Sequence, residues 1–380
     1  MKHGLWRLPF CVLLAAACLI SAAAAPEAAG KSALLMEKTT GQILYEKNAH
    51  ERLAPASVTK VMTMLLIMEA VDSGRISYDD TVTASEAAAA KGGSQVYLKV
   101  GETMTVRDML KSIAVSSAND CACAMAEFLC GSEESFVEAM NRRASELGMA
   151  DTHFVNCTGL DDGPGAKEHR TSAADIAIMS RELILNHPGI RKFTTIWMDT
   201  IRQGAFGLSN TNKLIRFYPG ATGLKTGFTS GAGYCLSATA ERDGMELIAV
   251  SMGCETSKIR AAACKSMLDY GFANFALVTA EVPEKTEVSV TLGKKSAVSV
   301  VPERLSPILT DKGKKAAVTT DMALPERVDA PVEKGEKLGV LTVRAGDEIL
   351  AEVNLVAADN VESCSFWDVF GILLRQICGT

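Results

Sequence analysis

Ser57 and Lys60 stand three positions apart in the stretch Pro55-Ala56-Ser57-Val58-Thr59-Lys60, and on a helix that spacing puts both side chains on one face. An alcohol beside an amine is an activated nucleophile only where the amine can shed its proton, which calls for an apolar setting. Val61, Met64, Leu65 and Met68 extend the same face, and Met62, Leu66 and Ile67 make the other sides apolar too. A helix of that pattern is buried all round. Pro55 suits an early helical position and puts Ser57 in the first turn, where N–H groups lack helical partners and the dipole favours negative charge.

Two more groups have chemical potential. Ser117-Ala118-Asn119 interrupts an apolar helical stripe over residues 105–129, and Lys225-Thr226-Gly227 lies in a strand-like run over 223–229. A serine hydroxyl can relay a proton, and an asparagine amide both donates and accepts hydrogen bonds. Lys225 and Thr226 suit a carboxylate, and Gly227 lets a bound chain lie against the strand edge. Each motif alone is weak, since Ser57 could be a helix cap, Asn119 a turn residue and Lys225 a solvated lysine. Three in this order are specific. His153 and His169 read as structural, and Thr171-Ser172 as a helix start.

The elements that would position these groups follow from period and punctuation. Strands are expected at 33–36 and 43–45 around the turn 38–42, then the central helix from 57 to about 71, stopped by Asp72-Ser73-Gly74. Residues 75–215 read as mostly helical, with a helix over 172–185. Strands return at 223–229, 234–241 and 245–252, the last two joined through Arg242-Asp243-Gly244, and a helix over 259–275 follows. Two strands, an inserted helical block, three strands and a closing helix make an α+β unit. Beyond residue 280 the runs 288–292, 297–301, 338–343 and 349–356 alternate with period two, which predicts a small all-β domain; Pro325 and Pro331 confine their neighbours to loops or edges.

The chain has 380 residues and a formal net charge of −6, so more than one folded unit is expected and nucleic acid is not a partner. Lys2 and Arg7, the apolar run 8–20 and the small residues 21–25 read as a secretory signal. The division is therefore 1–24 signal, 25–278 catalytic domain, 279–360 all-β domain and 361–380 amphipathic helix. In that last segment Phe366, Val369, Phe370, Leu373, Leu374 and Ile377 form one stripe opposite Asp368, Arg375 and Gln376. It is too short and charged to span a bilayer but suits its interface. Of eleven cysteines, Cys11 and Cys18 lie in the signal and the rest read as small buried residues, with neither a disulfide framework nor zinc spacing. No metal or cofactor is expected.

The three motifs and the flanks LLMEKTTGQILYEKNAHERLAPASVTKVMT, HFVNCTGLDDG, RTSAADIAIMSRELI and GLKTGFTSGAGYCLSATA resemble the penicillin-recognising serine acyl-transferases. Within them the chain is similar to the low-molecular-mass penicillin-binding proteins, the D-alanyl-D-alanine carboxypeptidases. The resemblance implies a β-lactamase/transpeptidase-like domain, an antiparallel sheet flanked by helices. It also implies an exported enzyme on the outer face of the cytoplasmic membrane that removes the last D-alanine from peptidoglycan stem pentapeptides. Ser57 would attack, Lys60 would take its proton, Ser117 would pass a proton to the leaving amine, and Lys225 would be the second cation that helps keep Lys60 neutral. The family's oxyanion hole implies the N–H groups of Ser57 and Phe228. β-Lactams, as mimics of the dipeptide, would acylate Ser57. One departure is Cys157, where relatives often carry proline in N-P-x-G-L. Two other readings compete: a β-lactamase, for which Glu182-Leu183-Ile184-Leu185-Asn186 supplies a misplaced E-x-x-L-N string, and a non-catalytic wall-binding module.

Overall fold

Five antiparallel strands form the sheet on which the site is built: β1 (Ser32–Glu37), β2 (Ile43–Lys47), β3 (Ala221–Thr229), β4 (Gly233–Arg242) and β5 (Met245–Cys254), in the order β2-β1-β5-β4-β3. The structure, a computed structural model, describes residues 25–378 except 164 and 283–285, and of residues 372, 373 and 375–378 the backbone alone. The expected signal at 1–24 lies outside the described residues. β1 is buried on both faces, and successive side chains serve opposite cores. Leu34 packs with the helical block, Leu35 with the closing helix α6 (Ser257–Asn274) through Cys264, Met267, Leu268 and Phe272.

The helical block holds α1 (Lys60–Asp72), α2 (Val106–Ser116), α3 (Asn119–Cys130), α4 (Glu133–Glu146) and α5 (Ala173–Asn186). Val61, Met62, Met64, Leu65, Ile67 and Met68 of α1 have no exposed surface, each stabilising the fold by roughly 2 kcal/mol. One expectation needs correction. The central helix does not start as an α-helix at Ser57; residues Ala56–Thr59 form a 3-10 turn ahead of α1. Ala56 has a φ of 48°, a left-handed conformation that an α-helical first turn cannot contain. The block also includes two small antiparallel pairs, Thr81–Thr83 with Thr103–Thr105 and Met198–Ile201 with Phe206–Ser209.

α6 ends at Asn274, and the chain passes directly into the strand Phe275–Val278, which pairs with Ile308–Asp311. The C-terminal all-β domain is a six-stranded sheet ordered Val318–Ala323, Lys337–Ala345, Glu348–Ala357, Ala297–Pro302, Glu287–Thr291, Arg327–Asp329. Val288, Val290, Val298, Val300, Leu341, Val343 and Leu355 fill its core. Beyond residue 280, three strands escape the sequence reading, as Phe275–Val278 and the four short strands of the helical block do before it: Ile308–Asp311 pairs outside this sheet, Val318–Ala323 buries neither face fully, and Arg327–Asp329 has only three residues. A last helix, α7 (Phe366–Cys378), carries exposed Phe366, Trp367, Phe370 and Leu374. No helix among the described residues is long and apolar enough to cross a membrane. Cys121, Cys123, Cys130, Cys157, Cys235, Cys254, Cys264 and Cys364 are free thiols.

Candidate active site

The 3-10 turn presents Ser57 beside the buried amine of Lys60, whose Nζ lies 3.0 Å from Ser57 Oγ and 2.8 Å from the Thr158 carbonyl. Lys60 has no exposed surface. Burial lowers its pKa from 10.5 to about 7, against the pull of Cys157 and the Asp120 carboxylate toward the charged form. A neutral amine there donates to the Thr158 carbonyl and turns its lone pair to the Ser57 hydroxyl. Lys225 is equally buried, and its Nζ donates to the Thr226 carbonyl at 2.9 Å. Burial first, then the neighbouring Lys60 and Arg260, push Lys225 well below its ordinary value. The main cause of the Lys60 shift is therefore burial, not a second cation.

Gly227 brings β3 against the Ser57 turn. A Cβ at this residue would stand 2.7 Å from the Pro55 carbonyl oxygen and 3.0 Å from the backbone nitrogens of Ser57 and Val58. Close approach of strand and turn demands glycine before any substrate is considered. β3 is the outer strand of the sheet, so its far edge is unpaired. The next residue, Phe228, is 54% exposed and stacks on Tyr234 with ring centroids 4.2 Å apart.

Ser117 caps the end of α2 in a left-handed conformation with φ 63°. That break turns the chain into α3, where the Asn119 N–H donates to the Ser94 carbonyl at 2.7 Å and its Nδ2 donates to the Gly92 carbonyl at 2.7 Å. Asn119 Oδ1 is buried with no partner among the described residues, an acceptor suited to an incoming amide N–H. Asp120 accepts from the Val96 and Leu98 N–H groups, so the motif pins the 92–98 wall as well.

Several contributors were not singled out from the sequence. Thr211 accepts a 2.7 Å hydrogen bond from the Thr226 hydroxyl, while its own N–H donates to the Val115 carbonyl, tying β3 to the end of α2. Arg260 of α6 is buried and donates to the carbonyls of Gly227 and Cys235 at 3.0 and 3.2 Å. The loop 156–160 wraps the Ser57 turn. Asn156 Oδ1 accepts from the N–H groups of Thr158 and Gly159, and a Cβ on Gly159, whose φ is +83°, would fall 1.9 Å from the Ala56 carbonyl. No signal short of the whole loop pattern marks these positions. His169 supports the turn. Its Nδ1 accepts from the Val155 N–H, which leaves Nε2–H to donate to Thr59 Oγ1 at 2.7 Å.

Glu182 accepts from Arg143 Nη2 and Asn186 Nδ2, and so is engaged in an ion pair on α5. Glu69, Glu182 and His187 are the one group of possible metal ligands among the described residues. Arg143 joins the two carboxylates at 2.7 Å each.

Residues 20–256 match the family described as D-alanyl-D-alanine carboxypeptidase, and residues 276–363 that described as Penicillin-binding protein 5, C-terminal domain. The D-alanyl-D-alanine carboxypeptidase DacF of Bacillus subtilis (strain 168) is 45% identical over 342 residues, 88% of this chain and 87% of the relative. The chain belongs to the D-alanyl-D-alanine carboxypeptidases. It is a low-molecular-mass penicillin-binding protein of the SxxK superfamily and a serine-type hydrolase. Penicillin-binding protein 5 from Haemophilus influenzae superposes with a TM-score of 0.77 at 31% identity, covering 90% of this carboxypeptidase and all of that chain (100%). Penicillin-binding protein D2 from Listeria monocytogenes in its ampicillin-bound form superposes with a TM-score of 0.59 at 33% identity, covering 64% of this chain and 97% of that one. The family described for residues 276–363 accounts for the all-β domain.

Proposed function

We propose that Ser57 is the nucleophile of this carboxypeptidase and Lys60 its general base, acting on the terminal D-Ala-D-Ala bond of peptidoglycan stem pentapeptides. The 3.0 Å contact between a fully buried Lys60 amine and Ser57 Oγ carries the reading. Lys60 takes the hydroxyl proton as Oγ bonds to the carbonyl carbon of the penultimate D-alanine. The oxyanion is received by the N–H groups of Ser57 and Phe228, each worth about 3 kcal/mol in the transition state. The C–N bond then breaks, Ser117 passes a proton to the departing D-alanine amine, and water hydrolyses the ester to free Ser57.

The unpaired Asn119 Oδ1 supports a role in holding the substrate's amide. Thr226 supplies the hydroxyl for the terminal carboxylate. Lys225 is buried behind it, so it acts on that carboxylate through its charge, which substrate binding favours. β-Lactams follow the same path and stop at the acyl-enzyme; the ampicillin-bound form of the Listeria neighbour supports β-lactam binding. Trimming the fifth residue removes the donor bond for cross-linking and so limits wall cross-links.

The enzyme works outside the cytoplasm, on the outer face of the cytoplasmic membrane. The basic, apolar and small-residue runs of 1–24 support export. Trp367, 75% exposed, with Phe366 and Phe370 beside it, supports interfacial docking of α7. Release of D-alanine from diacetyl-Lys-D-Ala-D-Ala tests the catalytic reading. Activity is expected from the wild type and none from Ser57→Ala; an active Ser57→Ala protein would refute it.

A further inference from the structure

The Thr158 carbonyl that receives the Lys60 amine belongs to a loop held from behind by a carboxylate outside the three motifs. Glu133 opens α4, directly after the N-cap Ser132. Its Oε1 accepts both the Cys157 backbone N–H and the Cys157 Sγ–H at 3.1 Å. Its Oε2 is paired with Lys91 Nζ and has Cys123 Sγ at 3.9 Å. Both oxygens of the carboxylate are thus engaged, Oε1 by Cys157 and Oε2 by Lys91. Burial alone would raise the Glu133 pKa, but the hydrogen bonds from Lys91 and Cys157 outweigh it and hold the group below the usual carboxylate range.

Cys157 in turn gives its carbonyl to the Thr63 hydroxyl of α1 at 2.7 Å, and the next carbonyl, that of Thr158, meets Lys60 at 2.8 Å. A continuous path therefore runs from Lys91 through Glu133, Cys157 and Thr158 to Lys60 and Ser57. Proline at 157 would offer neither the N–H nor the S–H, so in this chain a carboxylate supplies the hold that a ring would give the loop.

We propose that Glu133, paired with Lys91, is a positioning residue for acylation: it fixes residues 157–158 so that the Thr158 carbonyl keeps the Lys60 amine aimed at Ser57. This rests on the reading of Lys60 as the base. The competing role is a plain helix-dipole one, because Glu133 and Glu134 both lie in the first turn of α4. Only Glu133 of the two reaches Cys157, which makes Glu134→Gln the matched control. The groups that face Lys60 are Asp120 of α3, Cys157 of the loop, Lys225 of β3 and His169 ahead of α5; none is altered in these two variants.

The test is the rate at which a fluorescent penicillin acylates the full chain between pH 5 and 9, with melting temperature measured in parallel. Wild-type labelling and its loss in Ser57→Ala check the underlying reading; failure of that pair refutes the reading rather than the positioning role. Given that pair, Glu133→Gln is expected to acylate about tenfold more slowly on the plateau. Its acid limb is expected to move to lower pH, because the Lys60 ammonium loses an acceptor held against it. Glu134→Gln is expected to keep the wild-type rate and limb. A Glu133→Gln rate within twofold of wild type with an unmoved limb would overturn the proposal, as would equal slowing in Glu134→Gln. Should Glu133→Gln not fold, Cys157→Ala, which keeps the N–H and loses the S–H, carries the test. It is expected to be about threefold slower, with a limb shift of the same sign, and an unchanged rate would overturn the proposal.

Discussion

Lys60, the proposed base, is also a liability to the fold. Its pKa falls from 10.5 in the unfolded chain to about 7 when buried, so between those values the unfolded state holds more protons. Stability therefore rises with pH from about 7 toward 10.5. Below pH 7, where the buried amine must be charged, the disadvantage is about 5 kcal/mol. Lys60→Met, of similar volume, removes that disadvantage while taking a partner from the Thr158 carbonyl and from the half-buried Ser57 hydroxyl. It should abolish acylation and yet melt a few degrees higher than wild type at pH 6. A lower melting temperature would contradict this account of the site. Gly227→Ala tests the other half of the geometry: its Cβ would press on the Pro55 carbonyl at 2.7 Å and the Ser57 nitrogen at 3.0 Å. Acylation should fall at least about 100-fold, with the circular dichroism spectrum retained; a drop under threefold would show that strand and turn can part without cost.

Among the elements, the segment around His169 links the Ala56–Thr59 turn to the acid stability of the whole domain. Burial first, with His153, Arg170 and Lys60 adding to it, lowers His169 to about 4 from 6.5. Between those values the unfolded chain takes up a proton that the folded one refuses, so stability is lost as pH falls from 6.5 toward 4. The loss reaches about 3 kcal/mol. The melting temperature should drop over that window, and His169→Gln should flatten the drop while lowering the plateau; equal slopes in both proteins would count against it. Gly159→Ala should destabilise more than either, since its Cβ would overlap the Ala56 carbonyl at 1.9 Å. The turn-bounded runs of β1 and β3 to β5, the period-two runs of the all-β domain and the all-apolar sides of α1 are visible because burial dictates residue type at fixed spacing. The left-handed Ala56 is not visible, because its strain is maintained by Gly159 and Gly227, which lie far off in the chain. The partner carbonyl of Lys60, at Thr158, comes from a backbone atom that any residue would supply. Arg260 and Thr211 look like ordinary helix and loop residues until β3 is seen against them. Cys157 is legible as a departure, but its contact with Glu133 depends on α4 and the loop meeting in space.

For the whole molecule, the proposed membrane docking rests on α7. The catalytic and all-β parts are joined through Phe275–Val278 and Ile308–Asp311, and α7 follows the second part with its aromatic side chains uncovered. The expected behaviour is co-sedimentation of the mature chain with anionic lipid vesicles. The triple change Phe366→Asp, Trp367→Asp and Phe370→Asp should abolish it without altering D-alanine release in solution. Retained binding by the triple variant would mean that α7 is not the anchor. Loss of activity would mean that α7 supports the fold instead.

The buried, proton-free amine remains the claim on which the rest depends. Its most direct test is the pH profile of Ser57 acylation by a labelled penicillin in the wild-type protein. The rate should fall about tenfold for each pH unit below an apparent pKa near 7. A limb that instead titrates near 10, or a rate that is flat across pH 5 to 9, would contradict the account.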